Sequence, residues 1–292
     1  MTTRIAPTPS GFLHLGNAFS FLLTWLLVQK NKGILWLRID DLDNERFRQA
    51  YLDDIFDNLD WLQITWDKGA KNATDFLQNY SQHLRLPHYE KALTTLISQQ
   101  KIYGCQCSRQ QLKNKQTCDC KNIALDTQSH TKNIAWRMAV PHNHLIDFQE
   151  VNFKNTQQSQ TTSLNLYEIL GDFVIRKKDN KPAYQLASVF DDALFEIDFI
   201  VRGLDLLPST AAQIYIAKTL GQESFANIKF LHHDLLLDQN HQKLSKSANS
   251  TSLQALRKQN ANPKIVYQQF ATWIGYEKQA TNIEKITDLL FL

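Results

Sequence analysis

The 292-residue chain carries little net charge, only +3. That is too small for nucleic-acid binding by bulk electrostatics, so any RNA contact must come from local patches. No apolar run approaches the roughly 18 residues of a membrane span. The longest, Phe19–Val28, contains Ser20 and Thr24. The N-terminus has no basic stretch followed by a signal-type apolar segment and cleavage site. These absences lead to the expectation of a cytoplasmic protein with no membrane partner. No internal repeat is visible. Cysteine is scarce, and all four cysteines fall within Cys105-Gln-Cys107 and Cys118-Asp-Cys120.

What is present begins with that cluster. Two Cys-x-Cys pairs make a knuckle able to place four thiolates, Cys105, Cys107, Cys118 and Cys120, around one tetrahedral Zn²⁺. A disulfide there would staple only a short loop, and a cytosolic chain rarely keeps one. Reactive thiols and plain apolar cysteines are the other readings. A closed four-cysteine site offers no position to a substrate, so the expected Zn²⁺ is structural.

The chain is 43% hydrophobic, enough for a large core and one or two domains. Residues 3–6 read as a buried strand, 15–30 as a helix apolar nearly all round, and Ile34–Ile39 as a second strand. Strand, helix, strand in so short a span is a βαβ unit, which requires a parallel sheet. Over 46–62, Leu52, Ile55, Phe56, Leu59 and Leu62 recur at helical spacing. Asp53, Asp54, Asp57 and Asp60 lie opposite and read as a solvated face. Another helix is expected over 82–100.

Residues 122–165 are rich in Gln, Asn, Ser and Thr, with strand-like pieces at Ala135–Val140 and Ile146–Phe153. Apolar patterning returns at Leu166–Ile175 and Tyr184–Val201. Leu206–Leu220 reads as a helix capped by Ser209 or Thr210. Phe230–Leu237 reads as a strand, and Leu253–Gln259, Pro263–Ile274 and Ile283–Leu290 as helices. His142, His144, His232 and His233 lack a matching ligand frame and read as ordinary structural residues.

Two segments carry chemistry. Arg4-Ile-Ala-Pro-Thr-Pro-Ser-Gly-Phe-Leu-His-Leu-Gly-Asn17 is a turn that delivers a histidine to the start of an apolar helix. Backbone N–H groups and the helix dipole there suit a phosphate. Lys243-Leu-Ser-Lys-Ser247 follows a strand, and a lysine on such a loop can neutralise charge developing on phosphates. In doubly wound sheets, sites lie at the carboxyl ends of strands, so both segments can reach one crevice.

Together the two segments resemble the HIGH and KMSKS signatures of class I aminoacyl-tRNA synthetases. Leu37-Arg-Ile-Asp-Asp-Leu-Asp-Asn-Glu-Arg46, Ala183-Tyr-Gln-Leu-Ala187, Val189-Phe-Asp-Asp192 and Ile200-Val-Arg-Gly-Leu-Asp-Leu-Leu207 narrow the resemblance to the glutamyl branch. The likeness covers most of 3–250 and is weak over 121–165 and beyond 250. It is strongest to the short glutamyl-tRNA-synthetase-like family of the glutamyl-Q tRNA(Asp) synthetases.

The resemblance implies an α/β fold, a class I, Rossmann-like, doubly wound parallel sheet split by an inserted zinc subdomain. The expected parts are residues 1–102 and 183–250 as the two catalytic halves, 103–182 as the insert, and 251–292 as a short helical segment. It further implies ATP with Mg²⁺ and L-glutamate as substrates, and queuosine-containing tRNA(Asp) as acceptor, served by a monomer. His14, Gly16, Asn17 and Lys246 would meet ATP, with Lys243 assisting. Arg4 would grip a carboxylate of glutamate through two hydrogen bonds. Ala6, Thr8, Asp40, Tyr184 and Arg202 would complete the pocket.

The family has Ser where Thr8 stands and Glu where Asp40 stands. Thr keeps the hydroxyl; Asp keeps the charge but loses one methylene of reach. Relatives commonly use a tyrosine among their zinc ligands, where this chain offers a fourth cysteine. The family's long enzymes continue with an anticodon-binding region, so a chain ending at Leu292 is expected to meet its tRNA differently. A truncated glutamyl-tRNA synthetase charging tRNA(Glu) and an inactive RNA-binding paralogue are the alternatives.

Overall fold

The computed structural model describes residues 1–108, 110–113, 118–123, 125, 133–153, 155–236, 252–259, 262–276 and 282–288. It divides into two units, one of Met1–Ser81, Phe199–Leu204 and His232–Leu292, the other of Gln82–Asp198 and Asp205–Leu231.

The first unit opens with the expected βαβ. Strand β1 (Thr2–Ile5) leads through the turn to helix α1 (Leu15–Asn31) and strand β2 (Ile34–Leu37). β1 and β2 pair in parallel, Thr2 opposite Ile34 and Ile5 opposite Leu37. Strand β3 (Lys68–Gly69) adds to β2, also in parallel. α1 is buried on nearly every side, from Ala18 to Val28 except Ser20, as its apolar sequence requires. It ends where Lys32 turns left-handed at φ 48°. At the following Gly33, a Cβ would lie 2.5 Å from the Met1 carbonyl oxygen, so glycine lets β2 start against β1.

Helix α2 (Gln49–Trp61) and the short α3 (Ala73–Asp75) follow. Strand β9 (Phe199–Gly203) lies beside β1. Helices α9 (Leu253–Gln259), α10 (Lys264–Trp273) and α11 (Ile283–Asp288) close the unit. Phe19 of α1 meets Phe270 edge-on at 5.6 Å and Trp273 at 5.5 Å, the kind of aromatic packing that fixes helix contacts. Tyr267 donates to the Leu62 carbonyl oxygen at 3.0 Å.

The second unit contains helix α4 (Leu86–Ser98), preceded by a 3₁₀ turn over Gln82–Arg85. Pro87 in its first turn needs no hydrogen-bond partner there. Strands β4 (Ile102–Cys105), β5 (Ala135–Met138) and β8 (Phe173–Arg176) form an antiparallel sheet in the order β4-β5-β8. Strands β6 (Leu145–Asn152) and β7 (Asn155–Asn165) form a hairpin, and β10 (Lys229–His233) pairs in parallel with β6 at Lys229 and Phe230. Helices α5 (Leu166–Ile169), α6 (Tyr184–Leu194), α7 (Leu207–Thr219) and α8 (Glu223–Ala226) complete it.

Three expectations need correction. Asp54 is not on a solvated face: it is 2% exposed, whereas Asp53, Asp57 and Asp60 are exposed. α7 is capped by neither Ser209 nor Thr210; it starts at Leu207 with Pro208 in the first turn and no side-chain cap. The Gln/Ser/Thr-rich stretch holds the eleven-residue strand β7, which the polar composition concealed.

Candidate active site and metal centre

The turn between β1 and α1 is tied down from both sides. Arg38 N–H donates to the Ile5 carbonyl at 3.0 Å and Asp40 N–H to Pro7 at 2.9 Å, so Ala6–Thr8 runs beside Arg38–Asp40. His14 is the N-cap of α1. Its Nδ1 accepts the Gly16 N–H at 3.1 Å, while Asn17 Oδ1 accepts the His14 N–H at 3.1 Å. This reciprocal cap satisfies donors that a helix start leaves open. It also fixes the tautomer: with Nδ1 accepting, a neutral imidazole carries its proton on Nε2. A Cβ on Gly16 would lie 3.0 Å from His14 Cε1 and 3.1 Å from Nδ1, so the glycine keeps room for that ring.

Leu13, just before the histidine, is held by two segments distant in sequence. Its N–H donates to Asp54 Oδ2 at 3.2 Å, and its carbonyl accepts the Leu253 N–H at 2.8 Å. His14 and Ser252 form an antiparallel bridge. The chain therefore returns from the lysine segment beside the histidine. Lys243 and Lys246 themselves lie outside the described residues. Arg257 of α9 pairs with Asp57 at 2.8 Å and Asp54 at 3.5 Å. Burial raises the Asp54 carboxyl above the ordinary carboxylate range, and the Leu13 N–H and Arg257 pull it back in part.

The first unit also has a buried arginine on each of two neighbouring strands, Arg4 of β1 at 5% exposure and Arg202 of β9 at 4%. Asp40, beyond the end of β2, is buried and held by Arg38, whose Nε and Nη2 donate to its two oxygens at 2.8 and 3.0 Å. Asp41 accepts the Ser81 hydroxyl at 2.6 Å. Tyr184 belongs to the second unit, at the exposed first position of α6; its neighbour Gln185 donates to Ser209 Oγ at 3.1 Å. Reading the sequence missed Arg38 and Asp54. Arg38 had a signal, since a charge between Leu37 and Ile39 in a buried strand needs a partner.

The four cysteines come together in the second unit as their spacing predicts. Their sulfur atoms all lie within 4.8 Å of one another, with Cys105–Cys118 at 3.4 Å and Cys107–Cys120 at 3.6 Å, and no disulfide forms. A tetrahedral Zn²⁺ with Zn–S bonds of about 2.3 Å sets its sulfurs about 3.8 Å apart, so this donor set fits one ion. Burial, reinforced by the hydrogen bond with Cys118, pushes the Cys105 thiol up to about 12. A hydrogen bond from the Gln106 N–H lowers the Cys120 thiol. Protons compete with a metal for these sulfurs, so metal binding here weakens as pH falls.

Comparison with known proteins places this geometry. The sequence profile described as tRNA synthetases class I (E and Q), catalytic domain, matches residues 1–288. The chain belongs to that family. The glutamate–tRNA ligase 2 of Syntrophus aciditrophicus is 31% identical over 97% of this chain and 60% of its own length. The glutamyl-Q tRNA(Asp) synthetase of Nitratidesulfovibrio vulgaris is 32% identical over 87% of this chain and 80% of its own length. The chain thus spans little more than half of several glutamate–tRNA ligases it matches, 55% of the one from Aquifex aeolicus. Among solved structures, a glutamate tRNA ligase from Elizabethkingia meningosepticum superposes with a TM-score of 0.73 over 98% of this chain, at 21% identity. That likeness concerns the fold: the mixed α/β class I architecture with a parallel sheet. Among the described residues no helix is long and apolar enough to cross a membrane.

Proposed function

We propose that this chain activates glutamate with ATP and transfers it to the queuosine base at the wobble position of tRNA(Asp). The observation that carries the reading is the cap at His14. Its tautomer presents an Nε2–H donor at the N-terminus of a buried helix, where the helix dipole favours phosphate. Attack of the glutamate α-carboxylate on the α-phosphorus of ATP expels pyrophosphate and gives glutamyl-adenylate. That step calls for positioning and charge stabilisation more than covalent help.

In this mechanism His14 and Asn17 donate to phosphate oxygens, and Gly16 admits the nucleotide close to the backbone. Lys246 and Lys243 neutralise the departing pyrophosphate, with Mg²⁺ accompanying ATP. Arg4 and Arg202 supply two guanidinium groups for a dicarboxylic substrate. Thr8 adds a hydroxyl and Ala6 the floor of the turn. Asp40 meets the ammonium group, with Arg38 restraining its carboxylate. The four cysteines hold one Zn²⁺, which braces the knuckle and takes no part in the reaction.

The queuosine acceptor rests on the relative named for that activity, of which this chain spans four fifths. A hydroxyl of the modified base attacks the adenylate carbonyl and AMP leaves. The test incubates the protein with ATP, labelled glutamate and two RNAs: queuosine-containing tRNA(Asp) and tRNA(Glu). Label on tRNA(Asp) that vanishes without queuosine is the expected result. Label on tRNA(Glu) alone overturns the acceptor and makes the chain a glutamate–tRNA ligase. No glutamate-dependent exchange of pyrophosphate into ATP overturns the activation chemistry itself.

A further inference from the structure

Asp172 stands between α5 and β8 with its side chain wholly buried. Nothing in the activation chemistry uses it, yet it has partners on several separate segments. Oδ1 accepts the Val140 N–H at 2.8 Å. Oδ2 accepts the Tyr103 hydroxyl at 2.8 Å and faces Lys121 Nζ at 3.2 Å. Arg137 donates to its backbone carbonyl. Tyr103 lies two residues before Cys105, and Lys121 directly follows Cys120. One carboxylate therefore holds both cysteine-bearing arms. The Tyr103 hydroxyl also reaches the Cys118 sulfur at 3.7 Å.

A second tie runs from the far end of β8. Lys178 Nζ donates at 2.8 Å to the carbonyl of Gln106, the residue between the first two cysteines. Both ends of β8 thus fasten the knuckle, and the same segment runs on into α6.

We propose that Tyr103 and Asp172 are positioning residues of the metal site: through their hydrogen bond they hold the two Cys-x-Cys arms at the separation one ion needs. The inference rests on the metal reading of the four cysteines. The physical ground is pre-organisation. Two arms held apart only by their own backbones must be ordered when the ion binds, whereas arms already bridged through Asp172 need little further ordering. Hydrogen-bonded partners of metal ligands commonly govern affinity by 10- to 100-fold. Tyr103→Phe keeps the ring in its buried place and removes only the bridging hydroxyl.

The test strips the protein of metal and titrates it with Zn²⁺ against a chromophoric chelator. Three proteins are compared: the parent, Tyr103→Phe and Tyr89→Phe. Tyr89 is the control, because it is a buried tyrosine of the same unit whose hydroxyl bonds a different buried carboxylate, Asp191, at 2.6 Å. The expected result is one ion per parent chain, affinity about 10- to 100-fold weaker in Tyr103→Phe, and parental affinity in Tyr89→Phe. Parental affinity in Tyr103→Phe overturns the proposal. An equal loss in both variants also overturns it, since general destabilisation then accounts for the effect. A parent that binds no Zn²⁺ overturns the metal reading on which the proposal stands, and is read separately from the variants.

Discussion

Replacing Asp54 with alanine should loosen the segment that presents His14. Its carboxylate takes the N–H of Leu13, a residue 2% exposed, and removing it leaves a buried donor without an acceptor. A hydrogen bond to a charged group is worth about 1.5–3 kcal/mol, and the orphaned donor keeps that cost from being recovered. The bond to Arg257 adds little, because Arg257 retains Asp57 at 2.8 Å. Asp57→Ala is the internal control: its carboxylate is exposed and pairs with the same arginine, a contact worth about 0–1 kcal/mol.

Urea unfolding should therefore separate the two variants by about 1–2 kcal/mol, Asp54→Ala being the less stable. Asp54→Asn refines the test through pH. Because the folded state raises this carboxyl, folding favours its protonated form. That contribution is complete below the ordinary Asp value near pH 4 and is lost as pH rises through the folded value. Asn mimics the protonated acid, so the parent's advantage over Asp54→Asn should shrink as pH rises from about 4 towards neutrality. Equal stability of Asp54→Ala and Asp57→Ala would refute the assignment of Asp54 as the anchor of Leu13. A parent advantage that grows with pH would refute the burial argument.

Gly16→Ala places a methyl group about 3.0 Å from the His14 ring. It should turn that ring and lower glutamate-dependent ATP–pyrophosphate exchange roughly tenfold to a hundredfold with the fold retained; parental exchange would sever the ring geometry from the chemistry. Arg85→Ala removes the partner of Asp191, whose side chain is 1% exposed and meets Arg85 Nε at 2.7 Å. Chemical denaturation should show a loss of about 3–5 kcal/mol, while Tyr89→Phe, which removes a hydroxyl that donates to the same carboxylate at 2.6 Å and accepts from Arg85 Nε at 3.3 Å, should lose about 1–3 kcal/mol. Cys107→Ser should lower zinc content and thermal stability together; full stoichiometric zinc in that variant would exclude it as a ligand.

The parts legible in the sequence are those written in local pattern. An apolar helix between two β-rich runs is a βαβ unit whatever surrounds it, and β1, α1 and β2 follow from that. Cysteines two apart, twice, point to a metal site because two such arms can offer four thiolates to one ion, although the closest sulfurs, Cys105 with Cys118 and Cys107 with Cys120, meet across the arms. β7 was hidden for the opposite reason. Its residues show no apolar alternation, and cross-strand polar bonds support it, such as Gln149 to Thr161 at 3.1 Å and Ser159 to Gln149 at 2.9 Å. The cap of α7 was misplaced because Pro208 supplies helical φ at the first turn, so no side-chain oxygen is needed.

What local pattern could not distinguish is which aspartates are solvated and which are buried hubs. Asp53 and Asp54 are neighbours on one helix, yet the first is exposed and the second anchors Leu13 from 41 positions away. Asp191 sits in a run of polar and apolar residues and binds Gln82, Arg85 and Tyr89, each more than 100 positions earlier. Asp172 reaches Tyr103 across 69. A carboxylate costs several kcal/mol to bury alone, so it is found inside only where several donors converge. Convergence of that kind belongs to the tertiary arrangement and leaves no spacing behind in the chain. For the same reason such an aspartate is a sensitive reporter. Its donors come from separate elements, and neutralising it to Asn, at nearly constant volume, asks whether those elements are held by the charge or merely packed around it.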